Sequence, residues 1–260
     1  MPQAAGMYYF ANGEDDWSRP AVILLHGAGG NHLHWPSELR RLEGQRIYAP
    51  DLPGHGKSDG IGRQSIADYA DCVMAFMDDL KVRKAIFVGH SMGGAIALHM
   101  ALNHARRTLG IVLINTAPTL RLPAGLLENT LTPATLSLAI KNLGELAFSP
   151  QADLRLKENA MQRMGEIRSS VLHGDFLACN AFDVFARLGR IKVPTFILSG
   201  ADDKMVPPHY AQTMHQKIKN SLLLSMEGAG HMLMLENPVA VTKSLGLFLS
   251  GVDYQPGSRD

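Results

Sequence analysis

Apolar positions in this chain gather into short unbroken runs that recur along its length. Ala21-Val22-Ile23-Leu24-Leu25, Ala85-Ile86-Phe87-Val88, Leu109-Gly110-Ile111-Val112-Leu113-Ile114 and Thr195-Phe196-Ile197-Leu198 all lack the polar alternation of a half-exposed strand. Runs of this length bounded by Gly, Pro or Asn predict strands buried on both faces, as in a parallel sheet. Further strands are predicted over 7–11, 46–50 and 221–226. Between them the spacing changes. Ile66, Tyr69, Ala70, Val73, Met74, Met77 and Leu80 recur every three or four residues, predicting a helix over 65–80 with Ser65 at its start and Asp68 three residues on. Helices are also predicted over 35–42, 95–102, 207–218 and 238–249. Strand and helix alternate so regularly that an α/β fold with a mainly parallel, doubly wound sheet follows.

The alternation breaks after residue 116. From 117 to 190 no strand pattern compares with the others, and helical spacing dominates over 126–146, 153–164 and 176–188, interrupted at Pro133 and Gly144. A stretch this long, rich in Leu, Met and Phe, predicts an all-helical cap, not a linker. The expected organisation is a core of 1–116 and 191–260 with a cap insertion of 117–190. The polar tail over 251–260 is expected to fray.

Composition narrows the function classes. Hydrophobic residues make up 46% and charged residues 19% of the 260, with a formal net charge of +1 and no long run of one sign. A disordered chain is excluded, and neither nucleic acid nor an anionic membrane surface is an expected partner. No apolar run approaches the ~20 residues of a membrane span, and residues 1–12 carry no secretory signal pattern, so a cytoplasmic location is expected. Cys72 and Cys179 have no CxxC or Cys/His ligand spacing and read as reduced, buried thiols. Self-association stays open.

Chemistry collects where strands end, which is where ligands bind in open α/β sheets. Gly89-His90-Ser91-Met92-Gly93 is a G-x-S-x-G between a buried strand and a helix, a turn tight enough to demand glycine and to push the serine hydroxyl outward. His26-Gly27-Ala28-Gly29-Gly30-Asn31 is a glycine-rich loop suited to bringing a backbone N–H to a reacting oxygen. Gly56-Lys57-Ser58 ends like a phosphate-binding P-loop, but that motif needs a glycine where Asp51 stands. His32-x-His34 lacks a neighbouring carboxylate or thiol, so no metal is expected there. Asp202-Asp203 and His231 occupy two more strand ends.

Taken together, Ser91, Asp202-Asp203 and His231 stand in the order Ser, Asp, His, and the chain resembles the α/β-hydrolase-fold serine hydrolases. The likeness rests on five motifs over about residues 20 to 250: His26-Gly27, the 51–58 loop, Gly89-His90-Ser91-Met92-Gly93-Gly94, Gly200-Ala201-Asp202-Asp203-Lys204-Met205-Val206-Pro207, and Gly228-Ala229-Gly230-His231. It implies Ser91 as nucleophile, His231 as base and Asp203 as acid, because the family places the acid three residues after the glycine and before x-x-Val-Pro. It implies oxyanion donors at the backbone N–H groups of Ala28 and Met92. His32 and Trp35, with Phe148, Met161, Phe176 and Phe182 of the cap, are candidate substrate contacts. The implied activity is hydrolysis of small to medium, largely apolar carboxylic esters, without cofactor or metal. Lactonases, thioesterases, monoacylglycerol lipases, carbon–carbon-bond hydrolases and perhydrolases share the triad, and a non-catalytic ligand receptor is the reading from another class. Relatives with an aspartate nucleophile are disfavoured by Ser91.

Overall fold

The apolar runs lie at the centre of one sheet. A computed structural model describes residues 2–13, 16–122 and 124–254, which form eight strands: β1 (Gln3–Ala4), β2 (Met7–Asn12), β3 (Ala21–Leu25), β4 (Arg46–Pro50), β5 (Ala85–His90), β6 (Thr108–Ile114), β7 (Thr195–Gly200) and β8 (Ser221–Met226). Their order is β1-β2-β4-β3-β5-β6-β7-β8. Only β1 and β2 run antiparallel to their neighbours; β3 to β8 are parallel. Every residue of β3, β4, β5 and β7 is buried, as expected of strands covered on both faces. β1 was not anticipated, since two residues carry no periodicity.

Helices pack on both faces. α1 (Ser37–Arg40), α2 (Ile66–Asp79), α3 (Met92–Asn103), α8 (His209–Lys217), α9 (Leu233–Glu236) and α10 (Pro238–Ser250) belong to the alternating part of the chain. Ser65 caps α2, accepting the Asp68 N–H at 3.0 Å. Phe76, Phe87 and Met100 lie in the apolar layer beside α2 and α3, while Trp35, Leu39 and Leu245 lie in the layer on the other face. Among the described residues no helix is long and apolar enough to cross a membrane. Most of the polar tail falls in 255–260, outside the described residues.

Between β6 and β7 the chain forms α4 (Ala124–Glu128), α5 (Pro133–Ala147), α6 (Leu154–Met164) and α7 (Ser169–Ala181), followed by a 3-10 turn over Phe185–Arg190. Pro133 and Gly144 do not interrupt α5. Pro133 opens it, where a missing N–H costs nothing, and Gly144 lets α6 approach, since a methyl there would sit 2.9 Å from Met161 Sδ. α7 begins earlier than the helix expected at 176 because it is buried nearly all round, from Val171 to Cys179, and so has no apolar stripe to mark it. The two ends of this inserted segment meet: Val184 N–H donates to Pro118 O at 2.9 Å, Thr119 pairs with Asp183, and Leu122 N–H donates to Asn180 Oδ1.

Candidate active site

The strand-to-helix turn after β5 puts Ser91 at φ +52°, ψ −116°. A non-glycine residue in such a conformation costs on the order of 1–3 kcal/mol and persists only where its surroundings hold it. Four bonds do so. Ser91 N–H donates to Ile114 O, and Ser91 O accepts from Gly94 N–H, Ala95 N–H and the Thr116 hydroxyl. Two glycines make room: a β-carbon at Gly89 would overlap Gly93 O, and one at Gly93 would overlap Leu25 O. Met92 is the first residue of α3, so its N–H has no partner within the helix and lies at the positive end of the dipole.

Asp203 and His231 arrive from separate strand ends and meet. Asp203 Oδ2 lies 2.8 Å from His231 Nδ1, and its Oδ1 accepts the Met205 and Val206 N–H groups at 2.9 Å. Both residues are buried. A carboxylate accepting at Nδ1 fixes that proton and leaves Nε2 as the basic nitrogen. Asp202 is half-buried and, among the described residues, only its backbone is engaged, on Ala229 O.

The loop carrying His231 is fixed by residues that sequence reading did not connect with it. Asn115, at the end of β6, donates to Gly230 O at 2.7 Å and His231 O at 2.8 Å while accepting Gly200 N–H, and so ties three strand ends with one side chain. His90 Nε2 donates to His231 O at 2.9 Å, leaving Nδ1 buried and without a partner. Glu236 accepts Gly230 N–H with one oxygen and Ser149 N–H with the other, tying this loop to the turn between α5 and α6. The signal for Asn115 was present, as a polar residue closing an apolar strand.

The 26–31 loop is equally constrained. Gly27 O accepts Gly30 N–H at 3.1 Å and faces His26 Nδ1 at 2.8 Å, and His26 Nε2 accepts Leu52 N–H. Ala28 is half-buried above this turn. Next to it, Gly29 (φ +65°) donates to Asp175 Oδ2 at 2.8 Å. Asp175 also meets His55 Nε2 at 2.8 Å and the Tyr69 hydroxyl at 2.5 Å, all three residues being fully buried. Burial alone would lower the His55 pKa, but the charge and hydrogen bond of Asp175 outweigh it, so the net shift is upward. Burial, then the Asp175 charge, pushes the Tyr69 phenol far up. Sequence reading assigned Asp175 no role.

The expected substrate contacts divide. Trp35 is wholly buried in the core beside Leu24 and Leu39, and His32 is pinned by Asp51 Oδ1 at 2.8 Å from Nδ1, so both correct the expectation of pocket-lining residues. Phe182 packs in the layer with α2 and α3, another correction. Phe148 lies in the opposite layer, its backbone against Gly230. Phe176 and Met161 join a third apolar cluster, formed by the inserted helices around Leu143, Met164 and Leu172, that packs on Ala28 and Met205. A β-carbon on Gly29 would sit 3.0 Å from Leu172 Cδ1, which puts Leu172 directly on the loop. Cys72 and Cys179 are free thiols. Among the described residues no group of three or more His, Cys, Asp or Glu side chains could hold a metal ion.

The buried histidines set an acid limit on stability. Burial, then the nearby Arg163 charge, lowers the His34 pKa to about 4, and burial foremost drives His26 and His90 well below their ordinary value. Unfolded, each takes a proton near pH 6.5, so stability is present above 6.5 and lost as pH falls towards 4. His55, shifted upward, loses its contribution only at higher pH and does not oppose this. At about 1.4 kcal/mol per pH unit, one such histidine forfeits roughly 2–3 kcal/mol by pH 4.5. Tm should therefore fall between pH 6.5 and 4.5, and His34→Gln should fall about 5 °C less than wild type. Parallel pH profiles of thermal melting check this, and identical falls would refute it.

Known proteins share this fold. The family model described as "Alpha/beta hydrolase family" matches residues 22–243. A 2-hydroxy-6-oxo-6-phenylhexa-2,4-dienoate hydrolase from Burkholderia cepacia is 29% identical, over 86% of this chain and 85% of its own. A pimeloyl-(acyl-carrier protein) methyl ester esterase from Pectobacterium carotovorum is 28% identical, over 87% and 93%. The structure of an esterase from Exiguobacterium antarcticum superposes with a TM-score of 0.83 at 25% identity, covering 94% of this chain and 95% of that one.

Proposed function

Because the chain belongs to the alpha/beta hydrolase family, we propose that it is a serine-dependent hydrolase of small to medium, largely apolar carboxylic esters, working through an acyl-enzyme on Ser91. One observation carries the reading: the strained Ser91 turn stands among strand ends whose other members supply a His231–Asp203 pair, 2.8 Å apart and buried.

Each step follows from these groups. A serine hydroxyl is a poor nucleophile at neutral pH, so His231 Nε2 takes its proton as Oγ bonds to the ester carbonyl carbon. The carbonyl π electrons move to oxygen, and the N–H groups of Ala28 and Met92 meet that charge, one such donor being typically worth about 3 kcal/mol. Collapse breaks the bond to the alkoxy oxygen, which leaves as alcohol with the proton from Nε2. Water then attacks the acyl-enzyme, giving one proton to His231 and freeing the acid and Ser91. Asp203 accepts the hydrogen bond of Nδ1–H throughout and stabilises the imidazolium.

The inserted helices supply an apolar roof over Ala28, which favours apolar acyl groups. Leu172→Ala removes bulk beside Gly29 and should raise kcat/KM for p-nitrophenyl octanoate relative to acetate by about tenfold. An unchanged ratio would take Leu172 out of the acyl pocket. The general test is a panel of p-nitrophenyl esters with fluorophosphonate labelling, and absence of both turnover and labelling would favour a non-catalytic binding role. The Burkholderia cepacia relative supports a second reading, carbon–carbon-bond hydrolysis with the same triad. Adding 2-hydroxy-6-oxo-dienoates, lactones and thioesters to the panel ranks the readings by kcat/KM.

A further inference from the structure

Asp175 is a carboxylate with no exposure, carried on a helix of the inserted segment. Such a group is costly to bury unless its charge and lone pairs are met, and its partners all come from elements of the sheet-bearing part. Gly29 N–H and His55 Nε2 each lie 2.8 Å from Oδ2, and the Tyr69 hydroxyl donates to Oδ1. The nearest of the three in sequence is 106 residues away.

What the carboxylate holds is the neighbour of a candidate oxyanion donor. The bond from Gly30 N–H to Gly27 O closes a four-residue turn with Ala28 and Gly29 at its corner, and the positive φ of Gly29 is that of a type II turn. In a type I turn the Ala28–Gly29 peptide would face the opposite way. A fixed acceptor at Gly29 N–H selects between the two. On the other side Gly27 O is engaged by His26 and Gly30, so Ala28 N–H, trans across the same planar peptide, points the other way, out of the turn.

We propose that Asp175 is a positioning residue for the oxyanion loop: by accepting Gly29 N–H it sets the peptide plane that follows Ala28, so that the inserted segment supplies part of the geometry the tetrahedral intermediate requires. This rests on the serine-hydrolase reading above. Its role differs from that of a residue that only stabilises, because Tyr69 contacts the same carboxylate without touching the loop.

Kinetics of wild type, Asp175→Ala, Asp175→Glu and Tyr69→Phe, with an alkyl trifluoromethyl ketone as inhibitor, test it. The ketone's adduct with Ser91 carries the oxyanion, so its affinity reads the loop directly. Both Asp175 variants should lower kcat about 30-fold with KM within about threefold, and weaken the ketone by a similar factor. Tyr69→Phe should lower Tm yet keep kcat within about threefold. Folded Asp175 variants with wild-type kcat would overturn the proposal, as would kcat losses that track Tm across all three. Loss of fold in both Asp175 variants would assign the residue to stability alone. An inactive wild type would remove the serine-hydrolase reading and this inference with it, whereas an active wild type with active variants removes only the inference.

Discussion

Ser91→Ala is expected to lower kcat for ester hydrolysis by about 10⁵ to 10⁶ and to leave Tm within about 2 °C of wild type. The magnitude is that of deleting the nucleophile from a serine triad, where the remaining groups have nothing to activate. Alanine retains the β-carbon, so the φ of +52° and the bonds of its backbone to Ile114, Gly94, Ala95 and Thr116 persist. KM should change little, because Oγ contributes to the transition state more than to binding. Steady-state kinetics and loss of fluorophosphonate labelling check this together. Equal hydrolysis by the variant and wild type would remove Ser91 from the mechanism.

Asp203→Asn should cost about 10⁴ in kcat, and Asp202→Asn less than about threefold. The asymmetry comes from what each carboxylate touches. Asp203 accepts hydrogen bonds from His231 Nδ1–H and two backbone N–H groups, whereas among the described residues Asp202 is engaged only through its backbone. An amide at 203 keeps the shape but can turn an N–H towards Nδ1, which favours the tautomer whose Nε2 carries the proton and so accepts none from Ser91. A dead Asp202→Asn beside an active Asp203→Asn would reverse the assignment.

Elements and residues marked by a local pattern were legible in the sequence; the contacts that join distant elements were not. Ser91 was marked by its glycines and by the strand before it, and the bounds of β3, β4 and β8 match the apolar runs residue for residue. Asp203 and His231 were chosen from separate loops, and nothing within either loop dictates their 2.8 Å separation, which depends on how β7 and β8 pair. Trp35 misled because proximity to a glycine-rich loop in sequence says nothing about which face of the sheet a side chain takes. Asp175 was invisible for the opposite reason. Its helix is buried nearly all round and has no apolar stripe, so a lone carboxylate in it reads as noise until Gly29, His55 and Tyr69 are seen around it. An unexplained acid just ahead of the expected helix, between the apolar residues Leu172 and Phe176, was the available signal.

The paired neck of the inserted segment bears on how the substrate range of such a protein can change. Because Pro118 and Thr119 lie against Asp183 and Val184, the segment leaves and rejoins the scaffold at adjoining points. An exchange of everything between them keeps the neck and changes the length of the loop it closes, for which closure entropy grows only logarithmically. By that measure the segment is transplantable as a unit. The Gly29 N–H limits the exchange: a donor segment without an acceptor where Asp175 stands would close on the neck, cover the site and still leave that N–H bare. A library of grafted segments should therefore sort into active and inactive members by that acceptor before it sorts by the shape of the roof.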